Sequence, residues 1–192
     1  MKKIIFILLL QIFSLSLPLT ANTLSSLEKK VPQLVEEAGL ILLGTVEDLN
    51  AYYMKNGGTL THVTLEDITI IKGNIVNSSY TLEIYGGQIG NESFDIPGAP
   101  TFFQDRTYIL FIKNNKSAIF PLVGGSQGQF TVTYNNEYGI TQIFNSNKQL
   151  IIGIDSNNNF LTIPPPPTNP YIPLENLYPL TRFIEDIEAY LP

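Results

Sequence analysis

Apolar and polar residues alternate with period two through much of this chain, as in strands with one buried and one wet face. In "YTLEIY" (80–85), Tyr80, Leu82 and Ile84 share one face. "LILLGTVEDL" (40–49) begins as a continuous apolar run and then turns polar, which predicts a buried strand emerging toward the surface. "TLTHVTLEDITIIKG" (59–73) alternates too, but its apolar set changes parity from Val63 and Leu65 to Ile68 and Ile70. A bulge at Glu66-Asp67 would keep both pairs on one face, and bulged, bent strands are how small sheets curl into barrels. "TYILFIK" (107–113) is apolar on both parities, which predicts a central strand covered on both sides. Short strands are predicted at 118–123, 128–134, 139–144, 150–154 and 160–163. The turn formers "NNEYG", "NSNKQ" and "DSNNN" separate the later ones as in a meander.

Two stretches follow helical spacing instead. Leu24, Leu27, Val31, Leu34, Val35 and Ala38 recur at helical intervals behind "SSLE" (25–28), which has capping-box spacing. Pro32 falls inside that pattern, so the helix either kinks there or begins there, and Gly39 ends it. Leu180, Phe183, Ile184, Ile187 and Leu191 form one stripe after Pro179, which reads as a lid on the barrel. Between sheet and lid, "PPPPTNPYIP" (164–173) is excluded from helix and strand interior by its prolines and reads as a stiff connector.

The N-terminus reads as a targeting segment. Lys2 and Lys3 precede the apolar run Ile4–Leu10, and "PLTA" (18–21) offers a small residue for cleavage. Gln11, Ser14, Ser16 and Pro18 interrupt the run too early for a membrane span. The expected organisation is a signal peptide at 1–21, a β-barrel-like domain with its N-terminal helix at 22–163, the connector at 164–173, and a C-terminal helix at 174–192 packed on the domain.

Composition narrows the function classes. Hydrophobic residues are 44% and charged residues 15%, with ten tyrosines and eleven phenylalanines, so a globular, strand-rich domain is expected. Without residues 1–21, nine Lys and Arg face seventeen Asp and Glu, a net charge of about −8. That sign argues against nucleic acid and anionic lipid as partners, and no membrane insertion is expected after cleavage. The chain has no cysteine, which removes disulfides and thiolate catalysis.

Motifs that carry chemistry are weak. Gly124-Gly125-Ser126-Gln127-Gly128 satisfies the G-x-S-x-G nucleophile elbow, yet "QFTVTY" after it is a strand pattern where a helix is needed, and His62 is the chain's only histidine. That lone histidine, with no cysteine, is far short of a metal ligand set. Asp155-Ser156-Asn157-Asn158-Asn159 starts like a calcium loop but places Phe160 and Pro166 where glycine and glutamate belong, so a turn explains it better. Glu66, Asp67, Glu83, Asp95 and Asp105 are candidates for a glycosidase pair only if two of them converge. Asn77-Ser78-Ser79 and Asn91-Glu92-Ser93 are formal glycosylation sequons. "YGGQIG" (85–90) is neither a dinucleotide fingerprint nor a P-loop, and no helix follows to hold phosphate. It reads as a glycine-rich passage between two strands.

Taken together, "AGLILLGTV", "IIKG", "YGGQIG", "DIPGAPTFFQDRTYILFIK" and "FPLVGGSQGQF" resemble a family of exported bacterial domains with the pattern GxV…lKG…GG…vpGaP.F..G..yilFl…vvG..qGkF, over about residues 31–135. That family looks distantly like the barrel of tissue inhibitors of metalloproteinases and netrin modules, an oligonucleotide/oligosaccharide-binding type of fold. Gln104-Asp105 departs from the pattern, and Ser126 fills a position usually held by a small residue. The animal inhibitors act through an N-terminal cysteine, whereas the expected mature terminus is Asn22, so their mechanism does not transfer.

The expectation is an all-β fold: a small OB-like barrel or strongly curled antiparallel sheet with an N-terminal and a C-terminal helix. Its function would be that of an exported, periplasmic or extracellular, noncatalytic binding module. The rivals are a modulator or accessory domain of a secreted metallopeptidase, and a hydrolase using Ser126 or a carboxylate pair. Partner classes left open are a protein, such as a secreted peptidase, and a glycan; no cofactor or metal is expected. Glycine loops beside aromatics make Tyr85, Gly86, Gly87, Gln88, Phe102, Phe103, Gln127 and Phe130 the candidate binding residues.

Overall fold

The computed structural model describes residues 28–55, 57–113, 120–136, 139–164 and 178–192. After helix α1 (Val31–Glu37) come strands β1 (Leu40–Tyr53), β2 (Thr59–Lys72), β3 (Tyr80–Tyr85), β4 (Gly87–Ile89), β5 (Glu92–Phe94) and β6 (Thr107–Ile112). β7 (Gln129–Asn135), β8 (Ile140–Phe144), β9 (Leu150–Ile154), β10 (Phe160–Ile163) and helix α2 (Leu180–Glu188) complete the fold. The targeting segment and the body of the proline connector lie outside the described residues, as do residues 25–27 of the capping-box pattern.

Eight strands form one antiparallel sheet in the order β10-β9-β8-β7-β6-β1-β2-β3, and β4 and β5 form a separate hairpin. The eight-stranded sheet is open, because the edge strands β3 and β10 do not pair, so it is not a closed barrel. The mostly-β, antiparallel, two-helix expectation holds. Residues 120–123, predicted as strand, contribute only an isolated bridge between Leu122 and Ile112. In place of a simple glycine-rich passage after β3, the chain forms the hairpin β4–β5. Its two-residue loop Gly90-Asn91, joining the pair Ile89 and Glu92, is a hairpin signal that lies in plain view.

Both faces of the sheet centre are buried, and β6 shows why its sequence is apolar on both parities. Ile109 and Phe111 belong to a cluster with Val31, Leu34 and Val35 of α1 and Phe183 and Ile187 of α2. Tyr108, Leu110 and Ile112 belong to a second cluster with Leu42, Val46, Val63, Leu65, Leu82 and Ile84, joined by Phe102 and Leu122 from the loops. Helices therefore cover the first face, and loop residues contribute to the second.

The parity change in β2 is absorbed as expected. The β1–β2 register advances from Leu43↔Thr69 to Thr45↔Glu66, leaving one extra β2 residue, and Asp67 has a left-handed φ of 50°. Leu65 and Ile68 consequently pack on the same cluster despite opposite parity. A second shift between Val46 and Asp48 does the same for Val46 and Leu49 in β1.

Helix α1 starts at its proline rather than kinking: Pro32 is its second residue, and the Lys30 N–H donates to Gln33 Oε1 at 2.9 Å. The β9–β10 turn ties both helices down. Asn158 accepts from Val31 N through its carbonyl at 3.0 Å and from Tyr190 Oη through Oδ1 at 2.7 Å.

Candidate functional site

At the β1–β2 hairpin end of the second face lies a cleft of about 520 Å³. Leu49 and Ala51 of β1, Thr61 and Val63 of β2 and Ile84 of β3 line it. Register explains their convergence: Leu49 pairs with Val63, Ala51 with Thr61, and Thr61 with Ile84, so all five share one face. The chain from Tyr85 to Phe103 supplies the other wall, with Ile96, Ala99, Pro100 and Phe102 adding apolar surface.

Two glycines let that wall approach the sheet. Gly87 has φ 130°, and a β-carbon there would stand 2.0 Å from Thr61 Oγ1. Gly86 donates its N–H to Thr59 O at 2.7 Å and accepts from Thr61 Oγ1 at 2.7 Å. At Gly87 glycine is required because any side chain would displace the wall from β2, and at Gly86 because a β-carbon would stand 2.6 Å from Phe94 O in the hairpin. Farther out, Tyr53 Oη donates to Glu92 Oε2 at 2.7 Å, fastening the hairpin to β1; that bond to a carboxylate, more than burial, raises the Tyr53 hydroxyl above its ordinary pKa.

The rest of the wall is held from below. Tyr108 Oη accepts the Phe103 N–H at 3.1 Å, and the Phe102 and Tyr108 rings meet edge-on at 5.1 Å. Burial raises the Tyr108 pKa, against the smaller lowering effects of that bond and of Arg106. At the rim, Tyr85, Phe94 and Phe103 are 37%, 50% and 54% exposed, so these aromatics are not consumed by the core.

Six of the eight candidate residues line this cleft: Tyr85, Gly86, Gly87, Gln88, Phe102 and Phe103. Gln127 and Phe130 do not. Phe130 faces the helices, with its ring 5.0 Å from Phe160 and 5.6 Å from both Phe111 and Phe183. Gln127 Oε1 accepts from Lys29 N at 2.8 Å, so this side chain anchors the approach to α1. The glycine loop carrying Gln127 supports the cleft wall from behind. Ser126 N donates to Gly98 O at 3.2 Å, a β-carbon on Gly125 would stand 2.8 Å from that oxygen, and buried Gln129 donates through Nε2 to Thr101 O at 2.7 Å. Sequence reading missed Phe94, Asp95 and Ile96 as lining residues because it missed the hairpin that presents them.

The other candidates, Asp95 apart, do not line the cleft. Ser126 sits in a 3-10 turn, Gly125–Gly128, that runs directly into β7, without the helix of a nucleophile elbow. His62 lies on the opposite face from the cleft-lining Thr61, its Nε2 2.5 Å from Tyr52 Oη and 3.6 Å from Glu83 Oε1. Glu66 carries a raised pKa, chiefly from desolvation and then from Glu47, Asp67 and Asp105, whereas Asp95 is at the cleft. Asp155 closes a turn, accepting from Asn157 N at 2.8 Å and Asn159 N at 2.9 Å, and the Asn159 bonds hold its carboxyl below the ordinary aspartate pKa. Among the described residues no three His, Asp or Glu side chains are grouped to hold a metal ion. No described helix is long and apolar enough to cross a membrane. Asn77 and Asn91 are both exposed. Comparison of the chain with protein-family models, curated proteins and solved structures returned no match.

Proposed function

We propose that the chain is an exported, noncatalytic binding module that receives its ligand in the cleft between the second face of the sheet and the wall 85–103. One observation carries this reading: an apolar cleft of about 520 Å³, within the usual range of ligand sites, rimmed by three exposed aromatics and backed by glycine contacts. A barrel-like curl of β1, β2, β3 and β6 belongs to the proposal, since the three register shifts in the β1–β2 pair bend these strands. The noncatalytic reading is supported by Ser126 leading into a strand and by His62 bonding to Tyr52 on the far side of the sheet.

Amide spectra recorded against a library of small fragments test the site. Hits should shift the signals of 85–88, 93–96 and 99–103 and lose affinity when Ala99→Phe fills the cleft. Hits that cluster elsewhere, or that bind the filled variant equally well, would overturn the reading.

A further inference from the structure

The lining of this cleft is uneven in charge. Among its residues only Asp95 carries a formal charge, and none is Lys, Arg or His. Among the described residues the Asp95 carboxylate makes neither a hydrogen bond nor an ion pair. Glu92, in the same hairpin, adds a second carboxylate, which accepts from Tyr53. From Gly73 to Asp105 the chain carries Glu83, Glu92, Asp95 and Asp105 and no basic residue. The cation the structure does place beside this wall, Arg106, has its guanidinium carbon 5.1 Å from the centroid of the Phe103 ring. A ring of this rim therefore already accepts a guanidinium on one face.

Resting on the proposed cleft, we infer that its ligand is a basic, apolar peptide segment, with a Lys or Arg side chain between the rim aromatics and Asp95 and a neighbouring apolar side chain on the floor. Such a side chain matches both parts of the site. Its aliphatic stem covers apolar surface, while its head meets ring faces and a carboxylate that lacks a partner. An acidic ligand would meet repulsion. A neutral glycan fits the floor poorly, because hydroxyls pressed against Leu49, Val63, Ile84 and Ile96 would lose water without gaining hydrogen bonds.

The protein has no tryptophan, so a tryptophan-bearing peptide reports its own burial by fluorescence. The probe is acetyl-Leu-Lys-Trp-Lys-Leu-amide, compared with its Gln and Glu counterparts and with a neutral oligosaccharide followed by amide spectra. The Lys peptide should bind with a blue shift, weaken as salt rises, and lose affinity about twofold to fivefold in Asp95→Asn. The Gln peptide should bind more weakly and ignore that substitution, and Ala99→Phe should abolish binding of both. Near-ultraviolet circular dichroism confirms that the variants are folded. Equal binding of the Lys and Gln peptides, lost in Ala99→Phe, would overturn the basic class while leaving the cleft as the site. Oligosaccharide binding at the cleft without peptide binding would do the same in favour of a glycan. Peptide binding indifferent to both substitutions would sink the cleft itself, and no peptide binding at all would sink the inference.

Discussion

Gly87 and Phe130 are single positions whose roles the structure separates. A side chain at Gly87 meets Thr61 Oγ1 in a backbone conformation that L-residues rarely adopt. Gly87→Ala should therefore cost about 1–3 kcal/mol in urea unfolding. Adding Thr61→Ala should make the double variant less destabilised than the sum of the single effects, because the clash is with the hydroxyl that the second change removes. Phe130→Ala should cost about 3–5 kcal/mol, since its fully buried ring touches three other phenylalanines, while leaving the cleft residues' amide signals in place. The sequence offered no way to tell these aromatics apart. Phe102, Phe103 and Phe130 each adjoin a glycine-bearing loop, and only the tertiary structure separates them: Phe130 turns toward the helices from β7, whereas the loop before β6 holds Phe102 and Phe103 at the cleft through Tyr108.

At the scale of elements, the bulge in β2 and the turn before β10 are where local chemistry sets geometry. Asp67 occupies the left-handed region at φ 50°, which glycine tolerates and a β-branched residue resists. Asp67→Val should lower stability by roughly 1–2 kcal/mol, whereas Asp67→Gly should be close to neutral, both read by denaturant midpoint. In the Asp155 turn the native carboxyl has a depressed pKa, so its contribution is present above the unfolded-state value and is lost as pH falls through the native one. Asp155→Ala should lower the melting temperature at neutral pH, and the gap should close as both proteins are acidified through that range. Glu66 has the opposite sign: its raised pKa favours the folded state at low pH, a contribution lost as pH rises through the native value. Glu66→Gln should raise the melting temperature slightly at neutral pH and low salt. The gain should vanish in acid and shrink in high salt, which screens the neighbouring carboxylates but not the desolvation. The parity break revealed the bulge from sequence alone. The hairpin β4–β5 is signalled in sequence by its Gly90-Asn91 loop alone, because its strands are three residues each, too short for alternation to stand out.

Over the whole molecule, two packed faces organise everything else. β6 separates them, with Ile109 and Phe111 toward the helices and Tyr108, Leu110 and Ile112 toward the second face. The α2 stripe closes the first face through Phe183, whose ring stacks on Phe160 with centroids 5.6 Å apart. Phe183→Ala should lower global stability by about 3–5 kcal/mol, measured by urea unfolding, without changing peptide affinity in the folded fraction. Periodicity by itself determined the strand-rich class, the double burial of β6, the β2 bulge and the amphipathic lid, because each depends on neighbours a few residues apart. Only the tertiary structure decided that the sheet is open, that a hairpin forms the cleft wall, and that Asp95 joins three aromatics there while Gln127 and Phe130 serve elsewhere. Those outcomes depend on strand register and on contacts between residues such as Gly98 and Ser126, or Thr61 and Gly86. The pairing of distant segments determines them, and no local pattern along the chain encodes it.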